Sequence, residues 1–339
     1  MKKRVFCFLA ALLFAASMSA CKTNEKSTVK KLSIVTTIFP EYDWVMSILG
    51  EEKERADVTM LLDKGVDLHS FQPSAEDILK ITSCDMFIYV GGESDEWVDD
   101  VLKQSTNKDM VVIDLLDVLG DRVKEEETVE GMEHEHEHDD HDHEHEDHDE
   151  HEHEHEGAEP EYDEHVWLSL KNAKILCEQI EKEMENLDPE RKESYKKNLE
   201  EYVKQLESLD ARYQEAVDQS PCKTLIFADR FPFRYMTDDY GLTYYAAFSG
   251  CSAESEASFD TVVFLAEKVD EVNPGAVLTI EGAKHRIAET VVENTSDPTR
   301  KILAMDSLQS TTSNDVKNGK TYLSVMQTNL EVLKEALGC

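Results

Sequence analysis

"LDPERKESYKKNLEEYVKQLESLDARYQEAVDQ" (residues 187–219) has a single proline near its start and no glycine. Asp188 is placed to cap a helix, with Pro189 at the first helical position, where a missing N–H costs nothing. Nothing breaks the pattern until Ser220-Pro221. Thirty residues of helix reach about 45 Å, so the segment predicts a stiff strut and not a flexible hinge. Upstream of it, strand-like "KLSIVTTIF" (31–39), "ADVTMLL" (56–62), "MFIYVGG" (86–92) and "MVVIDLL" (110–116) alternate with helical "EYDWVMSILGEE", "SAEDILKITS" and "SDEWVDDVLKQ". Downstream the pattern repeats, with strands "KTLIFA" (223–228), "LTYYAAF" (242–248), "AVLTIE" (276–281) and "KILAMD" (301–306). Helical "ASFDTVVFLAEKVDEV" and "HRIAETVVENT" lie between them, and a last helix aligns Leu323, Met326, Leu330, Leu333 and Leu337 on one stripe. Strand–helix alternation predicts an α/β fold of two lobes, each a parallel sheet flanked by helices. The expected division is an N-terminal lobe over 31–187, the connecting helix over 188–219 and a C-terminal lobe over 221–339.

The first twenty residues read as a signal peptide, with Lys2, Lys3 and Arg4 ahead of an apolar run too short to span a bilayer comfortably. Met18-Ser19-Ala20-Cys21 is like a bacterial lipobox, which makes Cys21 the expected lipidated residue and 21–30 a polar tether. That places the chain outside the cytoplasm, lipid-anchored to the bacterial cell membrane. The formal charge is -38 over 339 residues, a surface that repels nucleic acid and favours cations. Cys84 and Cys177 sit in apolar helical settings and read as small core residues. With Cys222, Cys251 and Cys339 they make an odd set without a CxxC, so neither a disulfide framework nor a zinc–thiolate knuckle is indicated.

Residues 133–156 hold ten histidines and fourteen acids and nothing else. Without an apolar side chain such a tract cannot bury a core, and the whole loop over 124–162 is expected to be disordered. A solubilising spacer needs only Asp and Glu, whereas imidazole adds a donor for zinc, copper and nickel. His134, His136, His138, His141, His143, His145, His148, His151, His153 and His155 are therefore read as weak auxiliary metal ligands.

Only His69, His165 and His285 lie outside the tract. Each falls in a strand-to-helix loop, at the pole where open α/β sheets bind ligands. Here the chain resembles the zinc and manganese solute-binding lipoproteins of bacterial ABC importers. The resemblance is carried by "VTTIFPEYDWVMSILG", "LLDKGVDLHSFQPSAEDI", "DEHVWLSL", the long helix, "DDYGL" and "MDSLQS", and runs from about Leu32 to Leu337. It implies a metal site in the cleft between the lobes, with His69, His165 and Asp306 as ligands. It also implies that the acidic, His-rich insertion marks a zinc-type member. The third histidine of zinc-type members falls where this chain has Ala228, in "ADRFPF" (228–233). If the "AVLTIE" strand lies between its "KTLIFA" and "KILAMD" neighbours, the loop carrying His285 faces the gap. His285 is the expected replacement, with Glu281 and Asp229 as rivals and a bound water as the remaining alternative; a salt bridge to Arg230 competes for Asp229.

The expected function is capture of Zn²⁺ at one tight site and delivery to an ABC permease and its ATPase by a monomer, with further weak sites in the loop. Carriage of manganese or another divalent metal is the alternative within the same class, and imidazole ligands favour zinc over it. A metal-storage or adhesin lipoprotein is the alternative outside it. A metallohydrolase would need a base and a substrate pocket, and neither HExxH nor GxSxG occurs.

Overall fold

Among the described residues eight strands pair into two four-stranded sheets, β2-β1-β3-β4 and β6-β5-β7-β8, in which every adjacent pair is parallel. The first comprises β1 (Leu32–Thr36), β2 (Ala56–Met60), β3 (Met86–Tyr89) and β4 (Val111–Asp114). The second comprises β5 (Thr224–Phe231), β6 (Thr243–Ser249), β7 (Ala276–Ile280) and β8 (Lys301–Met305). This computed structural model describes residues 31–132, 161–252, 256–282 and 284–338. The signal peptide, Cys21 with its tether, and the ten histidines of the tract lie outside them. Among the described residues no helix is long and apolar enough to cross a membrane.

The sequence pattern explains the sheets. Parallel strands covered on both faces read as continuous apolar runs, and all five residues of β7 are buried. The strand order puts β7 between β5 and β8, as the placement of the His285 loop requires. One strand differs from its expected extent: β5 runs on past Ala228 to Phe231. Between Phe227 and Arg230 its register against β6 slips, three steps on β5 matching two on β6 from Ala246 to Phe248. That is a bulge, which bends a strand and re-aims its side chains.

The helices are α1 (Phe39–Leu49), α2 (Ala75–Ser83), α3 (Trp97–Leu102), α4 (Leu115–Leu119), α5 (Leu170–Leu187) and α6 (Lys192–Gln219) in the first half. The second half adds α7 (Arg234–Tyr240), α8 (Phe259–Val272), α9 (Arg286–Glu293), α10 (Ser313–Lys317) and α11 (Tyr322–Ala336). Ser74, Ser258 and Thr321 accept from backbone N–H groups at the starts of α2, α8 and α11. The strut is α6, whose 28 residues reach about 42 Å. It buries Tyr195, Leu199, Tyr202, Leu206, Leu209 and Tyr213 along one stripe and packs on α1, α5 and α11. One apolar core runs from Ile34 to Leu337 through these helices, so the two lobes share their packing. Its start differs from the expected cap. Asp188 faces Arg55 and the Tyr195 hydroxyl, and Pro189–Arg191 forms a 3-10 turn before α6 begins.

Both ends of the loop expected to be disordered over 124–162 are ordered, and residues 133–160 lie outside the described residues. Glu126 N donates to Glu161 O at 2.8 Å and Asp163 N to Lys124 O at 2.9 Å, zipping the two ends of the insertion together. The physical reason is apolar anchoring just before the tract: Met132 is buried in the core, with Val123 and Val129 packed against it.

Candidate metal centre

Three ligand-bearing side chains converge where strands end. His69 sits in the single 3-10 turn Leu68–Ser70 after β2, its backbone N–H donating to Asp67 Oδ1 at 3.1 Å. His165 leads into the turn Val166–Leu168 ahead of α5 and is fully buried. Cys251 follows the end of β6. Among the described residues, these three form the group whose metal-capable atoms all lie within 4.8 Å of one another.

The two imidazoles are held from behind. His165 Nδ1 lies 3.0 Å from Asp163 Oδ1, while His69 Nδ1 lies 2.8 Å from Ser94 Oγ and 3.3 Å from Glu164 Oε2. Partners of that kind on one ring nitrogen fix the tautomer and leave the other nitrogen free to ligate. The free nitrogens face each other, with His69 Nε2 3.3 Å from His165 Nε2. Two nitrogens on one tetrahedral zinc, at about 2.0–2.1 Å each, stand roughly 3.3–3.4 Å apart. The rings are therefore spaced as two ligands of a single ion. Burial opposes protonation of His69, but its hydrogen bond with Glu164 and the charges of Asp67 and Glu164 outweigh this and hold its pKa above the ordinary imidazole value. Burial also works to raise Glu164, and the hydrogen bonds from His69 and Ser94 overcome it, leaving the carboxylate ionised to lower pH than usual.

The other expected ligands are elsewhere. Neither His285 nor Asp306 offers an atom within 4.8 Å of both histidines. Asp306 Oδ1 accepts from Leu308 N at 2.8 Å and its Oδ2 pairs with Lys320 Nζ at 2.8 Å. Leu308 takes a left-handed φ of 67°, which turns the loop after β8 between Asp306 and Gln309. Gln309 is the residue that reaches the histidines: one end of its side-chain amide lies 2.7 Å from His165 Nε2 and the other 2.9 Å from Asp67 Oδ2. Glu281 is occupied by the same loop, accepting from Ser307 N at 2.6 Å, Ser307 Oγ at 2.8 Å and Ser310 Oγ at 3.0 Å. His285 begins α9, its carbonyl accepting from Glu289 N, and its side chain lines a neighbouring cleft with Asp229 and Arg230. Asp229 accepts from the backbone of Arg230 and Ile280, while the Arg230 guanidinium pairs with Asp67 across the cleft at 2.9 Å. The β7 loop faces the gap beside Ala228 as its strand order requires, yet it delivers His285 to Asp229 and not to the histidine pair. Cys251, Gln309 and the carboxylates behind the rings were not picked out from the sequence. The signal for the first was a lone thiol at a strand end, in "SGCS" (249–252).

Residues 34–336 match the family described as zinc-uptake complex component A, periplasmic. The chain belongs to this family. It is 32% identical over 331 residues to the zinc-binding lipoprotein AdcA of Streptococcus pneumoniae, covering 96% of this chain and 60% of that protein. It therefore spans about three-fifths of that relative's own length. With the high-affinity zinc uptake system protein ZnuA of Bacillus subtilis it shares 30% identity over 331 residues, covering 98% of this chain and 95% of that one. Among solved structures, the Zn(II)-bound ZnuA-like domain of S. pneumoniae AdcA superposes with a TM-score of 0.68 at 29% identity, over 91% of this chain and all of that one. The two parallel sheets, the long helix and the two-lobed arrangement are those of this family.

Proposed function

We propose that this member of the zinc-uptake component A family captures Zn²⁺ outside the cytoplasmic membrane and delivers it to an ABC permease and its ATPase. One observation carries the reading: His69 Nε2 and His165 Nε2 stand 3.3 Å apart, each ring backed by a carboxylate, at the carboxyl ends of the strands. Zinc is the cargo. Its capture and release need no bond chemistry, so the chain acts as a binding protein and not as an enzyme. Two imidazoles suit zinc better than manganese, which prefers carboxylate and water oxygen. The protein works as a monomer held at the membrane by lipid on Cys21.

The tract supplies weak zinc sites that feed the tight one. What supports this is where its ends emerge: the paired segments at Lys124–Glu126 and Glu161–Asp163 lead straight into Glu164 and His165. An ion gathered by the tract has a short path to the cleft. Asp306 and His285 stay as outer groups in this arrangement, engaged with Lys320 and beside Asp229. Anomalous diffraction at the zinc edge from the loaded protein tests the reading. An ion about 2 Å from both Nε2 atoms is expected. An ion bound instead between His285 and Asp229, or none in either cleft, contradicts it.

A further inference from the structure

We propose that Cys251 is the third protein ligand of the ion held by His69 and His165, making an imidazole–imidazole–thiolate centre. The inference rests on reading this cleft as the metal site and names a ligand that the family resemblance does not assign. Geometry is its first support. Sγ falls within 4.8 Å of a ring nitrogen on each histidine, a distance that a small inward shift closes to ligand spacing.

The chain is built to bring that thiol in. The β5 bulge at Ala228–Asp229 carries the β5–β6 pair on to Phe231 and Ser249, so the chain leaves β6 directly over His165. The next residue is Gly250, where an added Cβ would come within 3.0 Å of His165 Cε1 and 3.1 Å of Nδ1. A side chain there would crowd the ring, which would have to give by a few tenths of an ångström, so glycine lets the backbone lie close. Cys251 follows, its backbone N–H donating to Glu126 Oε1 at 3.1 Å, a contact with the base of the acidic tract.

The missing histidine and this thiol fit together as an exchange. Ala228 is buried at the edge of the cleft lined by Asp229, Arg230 and His285, and its methyl group offers no ligand atom. The ligand has moved from β5 to the end of its neighbour β6. The other described cysteines have different surroundings. Cys84 and Cys177 are fully buried in the core, and Cys222 Sγ faces Thr224 O. A thiolate also sharpens the choice of metal, since sulfur favours zinc and disfavours manganese.

Cobalt(II) is the probe. The full chain is titrated with Co²⁺ and its near-ultraviolet spectrum followed for thiolate-to-cobalt charge transfer, to which the tract, having no sulfur, is silent. Wild type and Cys222→Ser should each show the band saturating at one equivalent, and Cys251→Ser should lack it. Cys251→Ser should also bind zinc more weakly by more than about 100-fold, beyond the 10–100-fold typical of groups that only support a ligand. A measurement on the unaltered chain guards against misfolding of the variant. One equivalent of zinc should protect Cys251, and no other cysteine, from alkylation as read by peptide mass spectrometry. Tight binding of one ion with no thiolate band and an unprotected Cys251 overturns this inference and leaves the proposed function standing. Absence of any tight ion overturns both.

Discussion

Asp163 serves His165 twice with one oxygen: Oδ1 accepts from the backbone N–H at 2.8 Å and from the ring Nδ1–H at 3.0 Å. Removing it frees the ring to turn and weakens Nε2 as a donor. Asp163→Ala should lower zinc affinity about 10–100-fold in chelator competition, and Asp163→Asn, which keeps an acceptor, should lower it less. An unchanged affinity in Asp163→Ala would mean the ring is not a ligand. His285→Ala, at the cleft beside Asp229, should leave affinity within about threefold, under 1 kcal/mol. Acid should release the ion, because protonated imidazole cannot ligate: with Glu164 and Asp67 holding the pKa of His69 above the ordinary imidazole value of roughly 6.5, affinity should already be falling above that pH, and a flat profile down to pH 5.5 would point to carboxylate ligands. The sequence placed His69, His165 and His285 alike in strand-to-helix loops, and the structure brings only the first two together, because the third caps α9 beside Asp229. Cys251 also stands just past a strand, but as one thiol of an odd set it is not singled out by the sequence, and the approach of Gly250 to His165 that brings it in is not visible there.

Among the elements, α1 and α11 meet through one buried carboxylate. Asp43 Oδ2 accepts from Tyr322 N–H at 2.9 Å at the start of α11. Burial pushes its pKa up to about 6, against the lowering pull of that hydrogen bond. Between about pH 4, where the unfolded chain releases this proton, and pH 6, the folded chain still holds it. Stability from this group therefore falls as pH rises across that window. Asp43→Asn keeps the acceptor and removes the charge, so it should stabilise the fold at pH 8 by on the order of 2–3 kcal/mol. The gain should shrink toward zero near pH 4. Equal gains at both pH values in denaturant unfolding would contradict the assignment. The strands and the strut could be read from alternation and from the absence of breakers, which are local signals. The late start of α6 depends on Arg55 and Tyr195, and the length of β5 on its pairing with β6. Arg55 lies 133 residues from Asp188 and the β6 partners lie on another strand, so no local pattern reports them.

On the function proposed above, a tight site in the cleft is separate from a reservoir in the tract. The cleft draws His69 from the first lobe's β2 loop, His165 from the end of the insertion and Cys251 from the second lobe's β6. The shared core through α5, α6 and α11 holds those pieces in register. Asp67 and Arg230 pair across the same cleft at 2.9 Å, adding a polar tie between the lobes. On this reading the histidine pair binds one zinc ion independently of residues 133–156. Calorimetry on the chain lacking those residues tests it most directly, with His69→Ala/His165→Ala made in the same background. One tight zinc per chain should remain after the deletion, the weak additional ions should vanish, and the double substitution should abolish the tight one. Loss of the tight ion on deletion alone, or its survival in the double substitution, would contradict the account.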